Sequence, residues 1–307
     1  MKMLVGYTGF VGSNLLDTMY FDEVYNSKNI RDAYGKNPDL LIYAGVRGTK
    51  FLANKYPDDD RKNIEDAIEN IKKINPKKLV LISTVDVYED LDGKDEDYVI
   101  NPELLHAYGK NRYYLEQWVI NNIKDYHIIR LPAIYGKNLK KNFIHDLIDP
   151  VPQYLSKKEF FNINSEYKNN LSEFYINKNV YYSLIKYNKE LVYYFDHSQY
   201  NSIRFTDSRS TYQYFDLLDL HFIINMILQY NIKIFNCVSV SIKSGDLFKI
   251  VFSKEFKNHI TNNPIEYNLK TKYDFILDAK KFVYLRNKEM NMKRLANFIN
   301  EERKKIR

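Results

Sequence analysis

Short apolar runs and amphipathic stretches alternate through the first 131 residues. "KMLVGY" is a strand-length apolar run, and the helical stretch "GSNLLDTMYF" follows its glycines. "DEVYN" reads as a brief second strand. "DLLIYAG" reads as a third, its unbroken apolar character fitting burial on both faces. In "PDDDRKNIEDAIENIKKIN", Ile64, Ile68, Ile71 and Ile74 recur at helical spacing behind a proline and a run of acids. Acids at the start and lysines at the end of that segment complement a helix dipole. "KKLVLIST" is a fourth strand, a helix containing Tyr108 comes next, and "YHIIRLP" is a fifth strand. Strands spaced by helices pair in parallel through right-handed crossovers. The expected class is therefore α/β, a Rossmann-type doubly wound parallel sheet.

After about residue 137 the pattern loosens. "LKKNFIHDLI" starts a helix, and residues 152–200 form an insertion-like Tyr/Asn/Lys-rich stretch with helical candidates such as "VYYSLIKY". "YQYFDLLDLHFIINMILQY" reads as a strand entering a helix, with Asp219 as the helix N-cap. "IKIFNCVSV" is a further strand, "SGDLFKIVF" a helix and "NMKRLANFINEERKKI" a terminal helix. The expected division is a Rossmann domain over 1–137 with parts of 200–240, and a smaller C-terminal lobe from the remaining segments of 138–307.

Composition narrows the function classes. At 307 residues, 45% hydrophobic and 28% charged, the chain has the make-up of a soluble globular protein. No apolar run approaches the roughly 20 residues a bilayer span needs. "MKMLVGYTGF" lacks a signal peptide's layout, so the expected location is the cytoplasm and no membrane partner is expected. The single cysteine, Cys237, excludes an internal disulfide and sits in an apolar run that reads as core. The six histidines show no metal-ligand spacing, and no metal is expected. The +7 net charge is dispersed, so nucleic acid is not an expected partner.

"GYTGFVG" sets Gly6, Gly9 and Gly12, with Phe10 and Val11 among them, between the first strand and the first helix. A dinucleotide site needs glycine there, because the backbone must turn tightly, approach a pyrophosphate and let the helix pack close to the strand. NAD binding usually adds a carboxylate at the end of the second strand to hold the ribose. Here Asn26, Ser27 and Lys28 follow "EVY" instead. A missing acid with a lysine nearby tolerates a 2′-phosphate, which favours NADP over NAD. "NSKN" also reads simply as a polar turn.

The fourth strand ends in "LISTVDVY", and "HAYGKNRYYLEQWV" follows about two dozen residues later. Tyr108 and Arg112 are four residues apart and so share a helical face, while Lys110 points roughly opposite. A nearby cation favours tyrosinate, and arginine supplies that charge permanently. With the glycine turn, the "ST" strand end and this spacing, the chain resembles the short-chain dehydrogenase/reductase superfamily. It is most similar to the extended branch of nucleotide-sugar epimerases, dehydratases and 4-keto reductases. "RLPAIYGKNLKKN" and "YQYFDLLDL" add to the likeness.

The resemblance implies Tyr108 as acid/base in NAD(P)-dependent hydride transfer on a nucleotide-activated sugar. It implies Thr84, or the adjacent Ser83, as the hydroxyl that orients the same oxygen. Arg112 stands where the family has lysine. Val85 stands where the dehydratases have an acid, so elimination of water is disfavoured, and Asp86 either assists proton exchange or caps a turn. Ala44, Gly45, Arg47 and Lys50 lie where cofactor-contacting loops occur. Asn142 lies where the branch opens its substrate lobe, Lys140 or Lys141 beside it would face phosphate, and Arg209 resembles the branch's diphosphate-gripping arginine. A homodimer is also implied. The alternative is a protein that keeps the fold and binds dinucleotide while the arginine exchange has weakened or ended catalysis.

Overall fold

The computed structural model describes residues 1–167, 170–273 and 287–307. Two compact units divide the chain. Met1–Leu139, Gln213–Ser241 and Glu266–Lys288 make the first, and Lys140–Tyr212, Ile242–Ile265 and Glu289–Arg307 the second.

The first unit is built on a six-stranded sheet. Its strands are β1 (Lys2–Val5), β2 (Glu23–Tyr25), β3 (Leu40–Tyr43), β4 (Leu79–Thr84), β5 (Tyr126–Leu131) and β12 (Ile234–Asn236). They pair in the order β12-β5-β4-β3-β1-β2, every neighbour parallel. This is the doubly wound sheet expected from the strand-helix alternation.

The alternation of side chains along each strand feeds two cores. Leu4, Ile42, Val80 and Ile129 pack on one face with Leu15 of α1 (Phe10–Leu16) and with Leu220, Ile223, Ile224 and Ile227 of α8 (Leu220–Gln229). Met3, Val5, Leu41, Leu79, Leu81 and Ile128 pack on the other. There they meet the isoleucine stripe of α3 (Pro57–Ile74) and Leu115 and Val119 of α4 (Ala107–Asn122). Ile64, Ile71 and Ile74 are fully buried, and each contributes about 1.5–3 kcal/mol by leaving water.

Helix α3 has Pro57 at its first position, Asp58, Asp59 and Asp60 in its first turn, and Asn75 in a left-handed C-cap. A short helix absent from the sequence expectations, α2 (Lys50–Lys55), precedes it. Helix α1 ends earlier than its pattern suggested. The Thr18 hydroxyl bonds back to the Asn14 and Leu15 carbonyls at 3.3 Å, and Asp17 is the C-cap. Two further strands, β6 (Ala133–Tyr135) and β11 (Tyr214–Asp216), form a separate parallel pair. Cys237 is fully buried in the first core.

The second unit holds a three-stranded antiparallel sheet in the order β7-β9-β8, from β7 (Tyr154–Ser156), β8 (Tyr175–Asn177) and β9 (Tyr181–Leu184). Strand β9 lies inside "VYYSLIKY", where a helix was expected. Tyr182 and Leu184 alternate onto a shared core with Phe160 and Ile163 of α6 (Lys157–Glu166) and Leu191 and Phe195 of α7 (Lys189–Asp196). Cross-strand pairing of such aromatic residues outweighed the local helical spacing. The unit also contains α5 (Phe143–Ile148), α9 (Ser244–Phe252), the antiparallel pair β10 (Thr211–Tyr212) and β13 (Ile242–Lys243), and α10 (Lys288–Ile306) from Glu289 onward. Among the described residues no helix is long and apolar enough to cross a membrane.

Candidate active site

The sheet order brings the three strand ends that matter side by side: β1, then β3, then β4. Just past β1, the amide of Gly6 donates to the Tyr25 carbonyl at 2.7 Å and the amide of Gly9 to the Gly6 carbonyl at 2.9 Å. Gly6 has φ +94, a conformation L side chains rarely adopt. A Cβ on Gly6 would stand 2.4 Å from the Ala44 carbonyl oxygen, and one on Gly12 would stand 2.2 Å from the Gly6 carbonyl oxygen. The turn therefore lies hard against the end of β3 and the start of α1. That bare backbone cradle fits a pyrophosphate.

Phe10 and Val11 are half-buried at the mouth of α1. Asn14, one turn on, donates to the Phe10 and Lys137 carbonyls at 2.8 and 2.9 Å and accepts from the Lys137 amide at 3.0 Å. Beyond β2, Asn26 accepts from the Lys28 amide at 2.9 Å, a local turn that leaves Ser27 and Lys28 exposed.

Tyr108 sits in the first turn of α4 and is 8% exposed. Two side chains fix that turn. His106, the N-cap, accepts from the Gly109 amide at 3.0 Å through Nδ1, and Asn54 of α2 accepts from the Tyr108 amide at 2.9 Å. Both satisfy helix N–H groups that otherwise lack partners.

Thr84, the last residue of β4, lies beside the Tyr108 side chain, and its hydroxyl accepts from the Asp86 amide at 3.2 Å. Ser83 serves elsewhere. Its hydroxyl donates to Glu116 at 2.5 Å, and the fully buried Glu116 is gripped by Arg130 at 2.7 Å. Arg130 also donates to Tyr88 at 2.7 Å. Of the two adjacent hydroxyl candidates, Thr84 is the one beside the tyrosine.

Arg112 is 4% exposed. Its guanidinium pairs with the Asp60 carboxylate, donates to the Arg47 carbonyl, and lies 3.9 Å from the centre of the Tyr108 ring. Asp86 accepts from Lys50 at 2.7 Å and from the Tyr267 hydroxyl at 3.0 Å. Burial pushes Tyr108 above the ordinary tyrosine value, and Asp86 adds to this. Arg112 and then the neighbouring Thr84 hydroxyl act in the opposite direction. Partial desolvation and then the Lys50 charge hold His106 below its ordinary value.

Asp60, Asn54, His106 and Tyr267 were not singled out in the sequence. In the sequence Asp60 is one of three consecutive acids at the start of a helical segment. The signal for it was that a buried arginine demands a carboxylate.

In the second unit, Asn142 is the N-cap of α5, accepting from the Ile144 and His145 amides at 3.0 and 3.2 Å. Lys141 is exposed beside it. The Arg209 fork is held by Asp207 through bonds of 2.9 and 2.7 Å, and it also donates to the Thr261 carbonyl. In the first unit, Asp219 stands at the N-cap position of α8, but the side-chain cap comes one turn earlier, from Asp216 to the Leu218 amide at 3.0 Å.

No protein-family model matches the chain, and no curated protein matches it in sequence. Solved structures match over nearly its whole length. A dTDP-4-dehydrorhamnose reductase from Bacillus anthracis in complex with NADP is 17% identical, with a TM-score of 0.62 over 98% of this chain and 99% of that one. A UDP-glucose 4-epimerase from Thermotoga maritima with UDP-glucose is 14% identical, with a TM-score of 0.62 over 100% of both chains. A GDP-D-glycero-L-gluco-heptose synthase from Campylobacter jejuni, in the presence of NADPH, is 12% identical, with a TM-score of 0.58 over 98% of each. The chain has their fold. The fold implied by the resemblance in the sequence is thus the fold found.

Proposed function

We propose that the protein is an NAD(P)-dependent oxidoreductase or epimerase acting on the 4-keto form of a nucleotide-activated sugar. The observation that carries this is the placement of Tyr108 against Thr84 at the carboxyl end of β4, two strands from the glycine turn after β1. Ligands of doubly wound folds bind along that edge of the sheet. The solved structures of like fold that hold NADP, NADPH or UDP-glucose support the same reading.

In this reading Gly6, Gly9 and Gly12 receive the pyrophosphate. Ala44, Gly45 and Arg47 line the next strand end, and exposed Lys28 favours the 2′-phosphate of NADP. Bound there, the dinucleotide supplies or takes the hydride. Thr84 orients the sugar oxygen and Tyr108 exchanges its proton. Val85, buried and apolar, offers no acid for elimination. Asn142, Lys141 and Arg209 are proposed as nucleotide-sugar contacts on the strength of the resemblance. For Arg209 this requires the Asp207 pair to share or release its fork.

Arg112, where the resemblance implies a lysine, favours a second reading, a dinucleotide-binding protein with little or no turnover. Oxidation of NADPH and NADH followed across a panel of 4-keto nucleotide sugars separates the two. Turnover with a panel member is expected, and Tyr108→Phe should lower it about 10²–10⁴-fold while leaving cofactor affinity intact. Saturable binding without turnover would favour the second reading. Neither binding nor turnover would end both.

A further inference from the structure

Arg112 occupies the position of a family lysine, yet its charge is committed within the protein. The Asp60 carboxylate takes Nη1, the Arg47 carbonyl takes Nη2, and the guanidinium carbon lies over the Tyr108 ring, 3.9 Å from its centre. Asp60 reaches from the first turn of α3 and also accepts from Asn111 at 2.9 Å, so it ties two consecutive residues of α4 to one carboxylate. Both partners are buried, with side-chain exposures of 4% and 7%. A lysine ammonium offers no planar fork and could not make this arrangement.

We infer that Asp60 is a positioning residue of the site. By taking the Arg112 guanidinium in a buried ion pair, it fixes that cation against the Tyr108 ring and sets the tyrosine to give a proton to a substrate carbonyl. This rests on the reading above and deepens it, giving the free protein's tyrosine the proton-donating form that reduction of the keto sugar uses.

The charges facing Tyr108 come from every element packed on it. Arg112 lies on its own helix and Asp60 on α3. Asp86 follows β4, Lys50 of α2 is held on Asp86, and His106 precedes the tyrosine with its ring 6.2 Å away. Each cation is matched by a carboxylate: Arg112 by Asp60, and Lys50 by Asp86. A lone cation within a few ångströms would lower a tyrosine by about 1–3 units, whereas a neutralised one does far less. Between two neutral pairs, burial governs the phenol and it keeps its proton.

In the reductive step the substrate's carbonyl carbon gains a hydride from reduced nicotinamide dinucleotide, and its oxygen takes the electron pair of the C=O bond. The Tyr108 O–H bond breaks, its proton joins that oxygen, and the tyrosinate left behind is reprotonated from water.

The test is a pH titration of cofactor-free protein labelled with ¹³Cζ-tyrosine, the Tyr108 resonance assigned by its absence in Tyr108→Phe. In the wild type the resonance should stay phenolic beyond the ordinary value of 10.0. Asp60→Asn, which leaves the arginine unneutralised, should lower the titration by about one unit or more. Asp60→Glu should restore it. Should Asp60→Asn not fold, the Asp60→Asn/Arg112→Gln double variant, neutral at both positions, should titrate like the wild type. A wild-type Tyr108 titrating below 10.0, an Asp60→Asn titration unmoved, or a double variant titrating far from wild type would each overturn the inference. The titration needs no cofactor or substrate, so its failure is distinct from failure of the proposed function.

Discussion

A buried phenol answers to the charges around it, and Tyr108 has two cations and two carboxylates as neighbours. Its spacing from Arg112 and the hydroxyl at the end of β4 were legible, because i and i+4 share a helical face and strand ends collect at one edge. Asp60 was not legible. It lies 52 residues from its partner, and nothing local distinguishes it from Asp58 and Asp59, which stay exposed. His106 carries a prediction at this scale. Its cap requires a neutral ring with Nδ1 as acceptor, and its folded-state pKa lies below the ordinary 6.5. Between the folded value and 6.5 the unfolded chain binds more protons. Stability should therefore fall as pH drops below 6.5 and level off beneath the folded value. His127, held low by burial and then by the Lys233 charge against its bond to the Ile232 carbonyl, acts in the same direction. The difference between wild type and His106→Asn, which caps without titrating, isolates His106. Urea midpoints of the two proteins that stay parallel from neutral pH to pH about 5 would contradict this assignment.

Among the elements, β1, β3, β4 and β5 were legible because burial on both faces leaves unbroken apolar runs of strand length, whereas β6, three residues long, carried no such run. Helix α3 was legible from its isoleucine spacing and flanking charges. The early end of α1 and the presence of α2 were not, since a threonine back-bond and contacts with distant residues set them. Strand β9 runs against the expectation because its aromatic residues suit either a helix face or a cross-strand pair, and partners distant in sequence decide between them: pairing with β7 and β8, and Phe160 stacked 3.6 Å from Tyr182. The join between β4, α4 and β5 rests on Glu116, which takes Ser83 and Arg130 together. Glu116→Ala would strand the Arg130 charge among buried neighbours and should cost about 3–5 kcal/mol in urea unfolding with an unchanged slope. A loss under about 1 kcal/mol would mean that the network contributes little beyond a surface pair.

At the scale of the whole molecule, each unit gathers separated stretches of chain, and the particular side chains that join those stretches were the least legible level. Gln213 shows why. Its buried amide donates to the Ser239 and Leu269 carbonyls at 2.7 and 2.8 Å and accepts from the Leu269 amide at 3.0 Å, sewing three segments of the first unit together. A polar residue within "YQYFD" gives no sign of such partners. The glycine turn, by contrast, was plain in sequence because its steric demand is local, and the proposed chemistry depends on it. Calorimetric titration of the wild-type protein with NADPH, and in parallel with NADH, tests that dependence most directly. Saturable binding at one site per chain is expected, tighter for NADPH. No saturable heat with either dinucleotide would contradict the account.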